Sequence, residues 1–588
     1  MSKIKLTAVI SFIMSFVLLL TSCGGGGKSA KKLTEADFMA EDGTFLYTLI
    51  YPVGSEDKES YTEVKNIYNQ LRKTFAIKVV RKSDAEAAES DDTYEIVCGD
   101  TSRAATKTVA AELAANRENS ANDFMIKVIG KKIVIVGGNE KATVKGLRYF
   151  VEKFCQNAED LAKLNGKFSY IETNDYAIKN VSIAGKSLNG YTVVVPKKHS
   201  LLWTDGVEKF TENFSKNAGL EIKTVKDTDT AATDYEILIG DTNRAESAGL
   251  TGKQWVVKMS GNKLVVGGTD DIQICAAIAH LTDMQEKCIK EKTDFVIPAD
   301  YSASGTAEKD GNAYYLAWHD EFNGKTLDRT MWKDLSWNSK EDPSVMGGTV
   351  YKPDDRDVYV EDGKMVVPAK RLSREDFQAG QPTTEGTLAA RYGVIEFYAK
   401  FPKYPVTTAL WATTAAYVLD PVKGKVAKNN VFSMELDLVE SFGSETTYAA
   451  NVHHTSTNED MNYAITSRHL SLDGGKYGTK KKFTYKEGSL ADDYHYYSVR
   501  WTPYEMVFAF DGDPYFTYDL VSETDTSFAS DPQYFLAGVS YGSVGYGPTI
   551  IGDDAPKETS LYVDFFRIYQ SDAYDNVLWI TPVGSKFY

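Results

Sequence analysis

Three carboxylates lie within six residues of one apolar stretch, SMELDLVES at residues 433–441. They are Glu435, Asp437 and Glu440, in a segment whose other residues favour a buried strand. Acidic side chains are depleted in strands, and burying them without partners is costly. Carboxylates this close cannot all be comfortably ionised, so one pKa rises and that group can act as a general acid. The stretch predicts acid/base chemistry, with a solvent-facing acidic stripe as the alternative.

The spacing of the three acids predicts an irregular strand. Side chains alternate along a regular strand, so Glu435 and Asp437 share a face and Glu440 would point away. A β-bulge at Leu438–Val439 would absorb one residue and return Glu440 to the shared face. The two glutamates would then stand about four steps apart, or ~13 Å. Side chains that lean inward can then approach the ~5–5.5 Å carboxyl separation of a retaining glycosidase.

The surrounding half of the chain has the pattern of an all-β domain. Residues 303–312, within the polar stretch DYSASGTAEKDGN, are predicted to be a linker. After them, helical periodicity nearly vanishes, and short runs such as HYYSVRW and MVFAFDGDPYFTYD alternate with turn residues. Many short strands with turn signals predict a β-sandwich or barrel over residues 313–588.

Five segments of this half resemble glycoside hydrolase family 16, in the order expected of that family. They are LAWHDEFNGKTLDRTMW (316–332), RYGVIEFYAKFP (391–402), ELDLVES (435–441), YHYYSVRWTPYEMVFAFDG (494–512) and YVDFFRIYQ (562–570). The resemblance covers about residues 313–570 and implies a jelly-roll (concanavalin-like) sandwich of two antiparallel sheets with a glycan cleft on the concave face. The bulged E-x-D-x-x-E spacing is similar to that of laminarinase-like members.

The resemblance also implies roles for the three acids. Glu435 corresponds to the nucleophile and Glu440 to the general acid/base, with Asp437 between them as a hydrogen-bonding partner that tunes their charge. The implied reaction is a double displacement through a covalent glycosyl-enzyme, which needs no cofactor for its chemistry. A polysaccharide is the implied substrate.

Sugar-binding residues are expected around the acids, because subsites use aromatic faces and polar side chains. Trp411, in TALWATT, matches a cleft tryptophan of the family, and a core aromatic is an equally good interpretation of it. His453, in NVHHTS, follows the catalytic strand where the family often has a cleft histidine, and alternation favours it over His454. A surface histidine by chance is the alternative for this position.

Other sugar-contacting positions depart from the family pattern. Asn430 and Thr407 stand where the family often has tryptophans, Tyr398 where it has an arginine, and Gly538 where it has an asparagine. Asn430 and Tyr398 are therefore candidate substrate-binding residues of altered type. These departures bear on which polysaccharide is bound more than on which reaction is catalysed, because the three acids are kept. A β-1,3- or mixed β-1,3/1,4-glucan is favoured, with galactans and host glycans left open.

The family often carries a structural calcium on the convex face. The matching positions here are Glu321, the backbone of Gly363, and Asp564. Oxygen ligands suit calcium, so a structural Ca²⁺ is expected at these positions, although ordinary surface carboxylates explain Glu321 and Asp564 equally well.

The front half contains an internal repeat. YEIVCGDTSRA (94–104) returns as YEILIGDTNRA (235–245), and FMIKVIGKKIVIVGG (124–138) returns as WVVKMSGNKLVVGG (255–268). Each copy combines strands with amphipathic helical patterns, which predicts tandem α/β domains over residues 41–175 and 176–302. The paired glycines carry no phosphate-binding fingerprint and indicate ordinary strand-to-helix turns. Spacers or weak glycan or partner binders are both compatible with these domains.

The N-terminus predicts export. Lys3 and Lys5 precede the apolar run LTAVISFIMSFVLLL, which is short for a membrane span and fits a secretory signal. The following LTSC resembles the bacterial lipoprotein signal, which implies a signal peptide over residues 1–22, lipid on Cys23 and a tether over residues 23–40. An uncleaved N-terminal anchor is the alternative. Either way, the chain is expected at the cell surface or facing the periplasm, attached to a bacterial membrane.

Length, net charge and cysteine content limit the domain organisation and the classes of binding partner. A length of 588 residues predicts several domains, and a net charge of −16 without a basic patch argues against nucleic-acid binding. Four further cysteines, at 98, 155, 275 and 288, fit no metal site, although export permits disulfides.

The sequence as a whole predicts a monomeric surface lipoprotein, in which two α/β domains precede an endo-glycosidase of the sandwich type. A non-catalytic surface glycan-binding lipoprotein is the alternative, and a cell-wall scaffold or adhesin is a third interpretation. The complete set of Glu435, Asp437 and Glu440 favours the enzyme, because a binding protein has no need of all three.

Overall fold

The computed structural model describes residues 44–334, 349–351, 358–373, 377–404, 406–414, 417–420, 425–428, 434–454, 468–469, 483–521, 527–541 and 555–581. The chain divides into two compact units, with the boundary between Asn174 and Asp175. The predicted signal peptide, the tether and Cys23 lie outside the described residues. Within those ranges, no helix combines the length and the apolar character needed to cross a membrane.

The first unit is a six-stranded mixed sheet flanked by helices, in the strand order β2-β1-β3-β5-β4-β6. Strands β1, β2, β3 and β5 are parallel, and β4 runs antiparallel to both of its neighbours, β5 and β6. The elements are β1 (Thr44–Tyr51), α1 (Glu59–Phe75), β2 (Lys78–Ser83), β3 (Glu95–Cys98), α2 (Ala104–Asn116), β4 (Phe124–Ile129), β5 (Lys132–Gly137), α3 (Glu140–Phe154), α4 (Ala158–Leu161) and β6 (Ser169–Glu172).

The second unit opens with a sheet of the same design, in the order β10-β9-β11-β13-β12-β15, accompanied by a three-stranded sheet β14-β7-β8. The elements are β7 (Val181–Ile183), β8 (Lys186–Ser187), β9 (Thr192–Val195), α5 (Leu201–Ala218), β10 (Thr224–Lys226), β11 (Glu236–Ile239), β12 (Trp255–Ser260), β13 (Lys263–Gly268), α6 (Asp271–Glu291), β14 (Phe295–Ile297) and β15 (Ser302–Gly305). We call this part the second α/β module.

The paired glycines of both copies end a strand against the start of a helix. A Cβ atom on Gly137 would lie 2.2 Å from the backbone nitrogen of Thr143, and one on Gly268 would lie 2.3 Å from that of Ile274. Any side chain at these positions would force the helix away from the strand. The glycines therefore serve close packing at a turn.

The repeated YEI…RA motif encodes a buried ion pair. In the first copy, Arg103 lies 3.2 Å from Glu95 and both side chains are almost fully buried. In the second copy, Arg244 lies 3.3 Å from Glu236 and also donates to the backbone carbonyl of Asp227 at 2.9 Å. The guanidinium thus ties the start of β11 to the loop that follows β10, two strands away in the sheet. The two copies share this interaction because they share its residues at an offset of 141.

The four cysteines in the described part of the chain are free thiols. Cys98, Cys155 and Cys275 are buried, and burial raises the pKa of each thiol. These three thiols pack as small apolar core residues. Export would permit disulfides, but none joins the four cysteines in the described part of the chain.

The remainder of the second unit is a sandwich of two ten-stranded sheets, with one small sheet β26-β27 beside them. The outer sheet has the order β18-β21-β20-β36-β24-β32-β33-β34, with β16 on β36 and β19 on β20. The site sheet has the order β17-β22-β35-β25-β28-β29-β30, with β23, β31 and β37 attached.

The strands of the sandwich are β16 (Tyr314–Asp320), β17 (Lys333–Asp334), β18 (Thr349–Tyr351), β19 (Tyr359–Glu361), β20 (Lys364–Arg371), β21 (Phe377–Ala379), β22 (Pro382–Thr383), β23 (Leu388–Arg391), β24 (Gly393–Lys400), β25 (Thr407–Thr414), β26 (Tyr417–Asp420), β27 (Lys425–Lys428), β28 (Met434–Phe442), β29 (Thr447–His454), β30 (Arg468–His469), β31 (Phe483–Thr484), β32 (His495–Trp501), β33 (Glu505–Phe510), β34 (Asp513–Asp519), β35 (Gln533–Ser540), β36 (Glu558–Ser571) and β37 (Val577–Ile580). Apolar side chains from the facing sides of both sheets form its core, among them Phe397, Leu410 and Phe566. The predicted β-sandwich is confirmed in this part of the chain.

The second α/β module packs on the opposite face of the outer sheet. Glu396 of β24 is fully buried there and accepts hydrogen bonds from the Ser200 hydroxyl and the Leu201 backbone amide, both at 2.8 Å, and from the Ser498 hydroxyl at 2.9 Å. Tyr569 of β36 donates to Asp271 of α6 at 2.9 Å. These buried contacts explain why the module and the sandwich form one compact unit.

The predicted linker over residues 303–312 is not a free connection. Its first residues belong to β15, which pairs with β12 at the edge of the α/β sheet. Further on, the Asp310 carboxylate accepts from the backbone amides of Asn312 at 2.8 Å and Tyr314 at 2.6 Å. Small polar residues suggested flexibility, but they serve here as an edge strand and a fixed turn.

We predict that Arg244→Ala lowers the free energy of unfolding by about 2–3 kcal/mol, because buried hydrogen bonds to charged groups are lost. Glu236 would keep the Lys263 ammonium at 3.1 Å but lose the guanidinium, and the backbone carbonyl of Asp227 would lose a donor. Urea unfolding of the whole chain, followed by circular dichroism, measures the change. The exposed pair Lys209–Glu286 supplies the control, since both side chains are about half exposed. Lys209→Ala should change stability by less than about 0.5 kcal/mol. Equal losses in the two variants would contradict the assigned importance of the buried pair.

Candidate functional site

The three acids lie on β28, in the middle of the site sheet. The neighbouring strand β25 pairs with β28 in antiparallel register, which shifts by one residue between Leu410 and Trp411. The register partners of Glu435, Asp437 and Glu440 are, respectively, Thr413, Trp411 and Ala409. Leu438 has no register partner on β25 and is the extra residue. The predicted bulge is therefore confirmed.

The bulge separates acidic from apolar side chains on this strand. Leu436, Leu438 and Val439 all belong to the sandwich core and are at most 2% exposed. Glu435 and Glu440 stay partly accessible on the opposite face. Two successive core residues, Leu438 and Val439, are possible only because the bulge interrupts alternation. The third acid, Asp437, is therefore held on the same face as the two glutamates.

Burial and mutual repulsion dominate the electrostatics of this site. Burial, followed by the charge of Glu440, raises the pKa of Glu435 to about 7. Burial, followed by the charges of Glu440 and Glu435, raises the pKa of Asp437 well above its usual range. Asp437 is also hydrogen-bonded to Glu440. A hydrogen bond between two carboxyl groups requires a proton on one of them, and the raised pKa favours the protonated form of Asp437.

Asn451 is a site residue that sequence reasoning missed. It lies opposite Asp437 on β29, is buried, and donates a hydrogen bond from its side-chain amide to Oε2 of Glu440. The donor fixes the orientation of the Glu440 carboxyl. Its position two residues before His453 was the available signal, because residues two apart on a strand share a face.

Two predicted sugar-binding residues lie in the register of the acids. Trp411 is half-buried on the face that carries Asp437, while its neighbours Leu410 and Ala412 enter the core. The alternative of a core aromatic is thus not what the structure shows. His453 is paired with Glu435, although its side chain lies outside the described residues. Asn430 lies outside them altogether.

Tyr398 is not near the acids, which corrects the prediction that it binds substrate there. It belongs to β24 of the outer sheet, and its ring packs against Tyr496 and Phe565 on the face turned away from the core. The segment RYGVIEFYAKFP, which contains Tyr398, thus lies in the outer sheet and not in the sheet that carries the acids. Alternation correctly separates Tyr398 from the core residue Phe397 but does not show which sheet contains the strand.

Strand β35 adds two further features on the side of β25. Tyr534 is paired with Thr413, and the charge of Glu435 is among the causes that raise its pKa, after burial and the charge of Glu385. Gly538 is paired with Ala409, and a Cβ there would lie 3.5 Å from Gln381. A Cβ at position 538 would thus make ordinary van der Waals contact with Gln381, which lies between β21 and β22.

The residues expected to bind calcium do not fit that ion. Both carboxylate oxygens of Glu321 are engaged by the Arg567 guanidinium, each at 2.8 Å. Asp564 lies 3.6 Å from the Lys364 ammonium. Arginine and lysine already balance these negative charges, so a divalent cation would have to displace them. Within the described ranges, no cluster of three or more acidic, histidine or cysteine side chains is arranged to hold a metal.

The comparison with known proteins identifies the domain that carries the acids. Residues 391–544 match the family model for glycosyl hydrolases family 16. The chain is 27% identical over 282 residues to glucan endo-1,3-beta-glucosidase A1 of Niallia circulans, a match that covers 43% of this chain and 38% of that protein. It is 25% identical over 271 residues to beta-porphyranase B of Phocaeicola plebeius, with 43% and 82% covered.

Among solved structures, the laminarinase catalytic domain of Thermotoga maritima is 22% identical, with a TM-score of 0.34, over 44% of this chain and 98% of that one. The chain spans about two fifths of the length of the glucosidase relative. The residues that match the family model include all three acids of β28.

We predict that Glu435→Gln stabilises the protein at pH 8 by about 1–3 kcal/mol but not at pH 4.5. The folded-state pKa of Glu435 is raised to about 7, so the folded state binds a proton that the unfolded state releases above its own, lower pKa. Stability is therefore lost as the pH rises from about 4.5 to 7, and glutamine removes that loss. Thermal melting at both pH values measures the difference.

The control for this measurement is Glu361→Gln, because Glu361 is exposed at the end of β19. That variant should melt like the wild type at both pH values. A Glu435→Gln variant with the same stability change at pH 4.5 and pH 8 would contradict the electrostatic explanation.

Proposed function

We propose that the chain is a retaining endo-glycosidase, which hydrolyses a β-linked polysaccharide by double displacement. The observation that carries the proposal is the bulge of β28, which gathers Glu435, Asp437 and Glu440 on one face of the site sheet. A strand that only needed solvent contact would not bury Asp437 to 2% exposure between two glutamates. The arrangement supplies one group to attack and another to transfer a proton, which is the minimum for this reaction.

In the proposed mechanism, Glu435 attacks the anomeric carbon while Glu440 protonates the leaving oxygen. Asp437, whose pKa burial and the charge of Glu440 raise, keeps a proton beside Glu440, and this proton is available to Glu440 when it acts as the acid. After the glycosyl-enzyme forms, Glu440 accepts a proton from water, and the resulting attack releases Glu435. Asn451 keeps the Glu440 carboxyl in place during both steps.

The same mechanism requires Glu435 to be ionised before it attacks. Because burial and Glu440 raise its pKa to about 7, protonation should inactivate the free enzyme on the acidic side of neutrality. When Glu440 gives its proton to the leaving oxygen it becomes negative, while Glu435 loses its charge by bonding to the anomeric carbon, so the two acids need not be charged at the same time. The repulsion between the two acids thus couples the two halves of the reaction.

The substrate we favour is a β-1,3- or mixed β-1,3/1,4-glucan. The family-model match and the similarity to a glucan endo-1,3-beta-glucosidase support a glucan, and Trp411 offers an aromatic face beside the acids. The similarity to a beta-porphyranase keeps a galactan within the proposal, and a host glycan is the third class. Gly538, opposite Ala409, contributes no polar side chain at that position of β35.

We further propose that the enzyme acts at a bacterial cell surface, held by lipid on Cys23. The support is the sequence alone: two lysines, a short apolar run and LTSC, followed by a glycine-rich stretch. A polysaccharide is too large to enter a cell intact, so a surface location agrees with an endo-acting enzyme.

We predict that Glu435→Gln reduces the release of reducing ends from β-1,3-glucan by about 10³-fold or more, because the nucleophile is lost. The wild type should release the β-anomer first, which proton NMR of early products detects. Exposed Glu361→Gln is the control and should keep full activity. Wild-type binding without turnover on glucans, galactans and host glycans would instead establish a non-catalytic glycan-binding protein.

We predict that inserting an alanine after Leu438 abolishes turnover. The bulge absorbs one extra residue, so a second one would turn Glu440 towards the core. The matched variant is the deletion of Leu438, which restores regular alternation, leaves Glu435, Asp437 and Glu440 two steps apart on one face, and should keep more turnover than the insertion. Turnover of the insertion variant within about tenfold of the wild type would show that the bulge does not place Glu440.

A further inference from the structure

A cavity lies between the second α/β module and the outer sheet, and it has a volume of about 720 Å³. That volume is typical of small-ligand sites. Its walls come from both parts, including Asp241 and Thr251 on one side and Tyr398 and Tyr496 on the other. We propose that this cavity is a binding site for a neutral saccharide, separate from the face that carries the three acids.

The α/β wall of the cavity is the place where open sheets of this kind bind ligands. Residues at the carboxyl ends of the parallel strands β9, β11 and β13 line it, namely Pro196, Gly240 and Gly268. In the sheet, β10 lies on one side of β9, and β11, the next strand of the chain, lies on the other side of it. The direction in which strands are added therefore reverses at β9. The crevice outside such a switch point is the general ligand position in open α/β sheets.

The sandwich wall contributes aromatic side chains. The rings of Tyr398 and Tyr496 lie 4.7 Å apart between centroids, and both residues are half-buried rather than sealed in a core. Phe565 lies behind them, with one side against Tyr398 and the Arg567 guanidinium 3.8 Å over its ring. Tyrosines present an apolar ring and a polar hydroxyl together, which suits the faces and hydroxyl groups of sugars.

The charges around the cavity argue against an anionic ligand. Arg567 is already bonded to Glu321 and to Asp271, and Lys198 is bonded to Asp493 at 2.7 Å. The N-terminus of α6 is capped by Asp270, whose side chain accepts from the Gln273 amide at 2.9 Å. A phosphate or sulfate would find each of these positive groups engaged, whereas a neutral polyol requires no countercharge.

Asp241 gives the cavity an exposed acceptor at the end of β11. The glycine-rich loop through Gly249 and Gly252 lies beside it, and Thr251 adds a hydroxyl. Carboxylates and hydroxyls that converge on tyrosine rings are the polar and apolar partners a sugar ring needs. These features occur in the second copy of the repeat, whose cavity is completed by side chains of the sandwich.

The location separates this cavity from the proposed active site. Tyr398 lies on the outer face of the outer sheet, whereas Glu435 lies on the site sheet with the sandwich core between them. A sugar unit bound in the cavity therefore cannot be the sugar unit that Glu435 attacks. The cavity would hold a second chain or a remote part of the same polysaccharide, which raises the local substrate concentration.

The test uses the full chain in a Glu435→Gln background and calorimetric titration with laminarihexaose, a mixed-linkage glucan hexasaccharide and neoagarohexaose. We expect two binding events for at least one of these probes. Tyr398→Ala and Asp241→Ala should each weaken one event by about tenfold or more and leave the other unchanged. Asp241 is exposed, so its replacement does not put folding at risk, and melting curves check Tyr398→Ala.

The matched control is Tyr562→Ala, because Tyr562 is a half-buried tyrosine of the same sheet outside the cavity lining. It should leave both events unchanged. A single event with every probe, or two events that ignore Tyr398 and Asp241, would overturn the proposal. Inorganic phosphate binding that Tyr398→Ala abolishes would also overturn it, because the ligand would then be an anion.

The choice of probes rests on the proposed function, but the two proposals fail separately. Reducing-end release by the protein that retains Glu435 measures the enzyme alone. Turnover with one binding event would remove the cavity proposal and keep the enzyme. Two events without turnover would remove the enzyme and keep the cavity.

Discussion

The bulge at Leu438, the residue of β28 that has no register partner on β25, decides what the site can do. Without the bulge, regular alternation would turn Glu440 towards the core and expose the apolar side chain of Val439. With it, the core gains two successive apolar residues and the opposite face gains a third carboxyl group. The packing of the sandwich and the chemistry of the site therefore depend on the same one-residue irregularity.

A second constraint is the charge buried between the α/β module and the outer sheet. Arg567 bridges Glu321 of the sandwich and Asp271 of α6, and Tyr569 bonds the same aspartate. Removing any member would leave a desolvated charge, so the two parts are expected to stay together. The same interaction replaces the calcium that the family resemblance implied, because an internal guanidinium already neutralises Glu321. One contact between the α/β module and the sandwich thus accounts for the poor fit to a metal ion.

Sequence reasoning succeeded where a local pattern determines the structure. The offset of Glu440 required a bulge, and the paired glycines required close turns, since both follow from backbone geometry within a few residues. It failed where the answer depends on which strands become neighbours. Tyr398 has the correct alternation but lies in the other sheet, and Asn451 reaches Glu440 only because β29 pairs with β28. Residues far apart in the chain meet through sheet order, which one sequence does not display.

The proton balance of the site connects its geometry to its stability. Three carboxyl groups on one face hold more protons when folded than when unfolded, since burial and repulsion raise the pKa of Glu435 and Asp437. That excess costs folding free energy at neutral pH, and apolar packing beneath the strand must offset it. The bulge meets both demands, because it places Leu438 and Val439 in the core directly below the acids. A site that must keep one acid protonated and another ready to ionise therefore needs a well-packed strand beneath it.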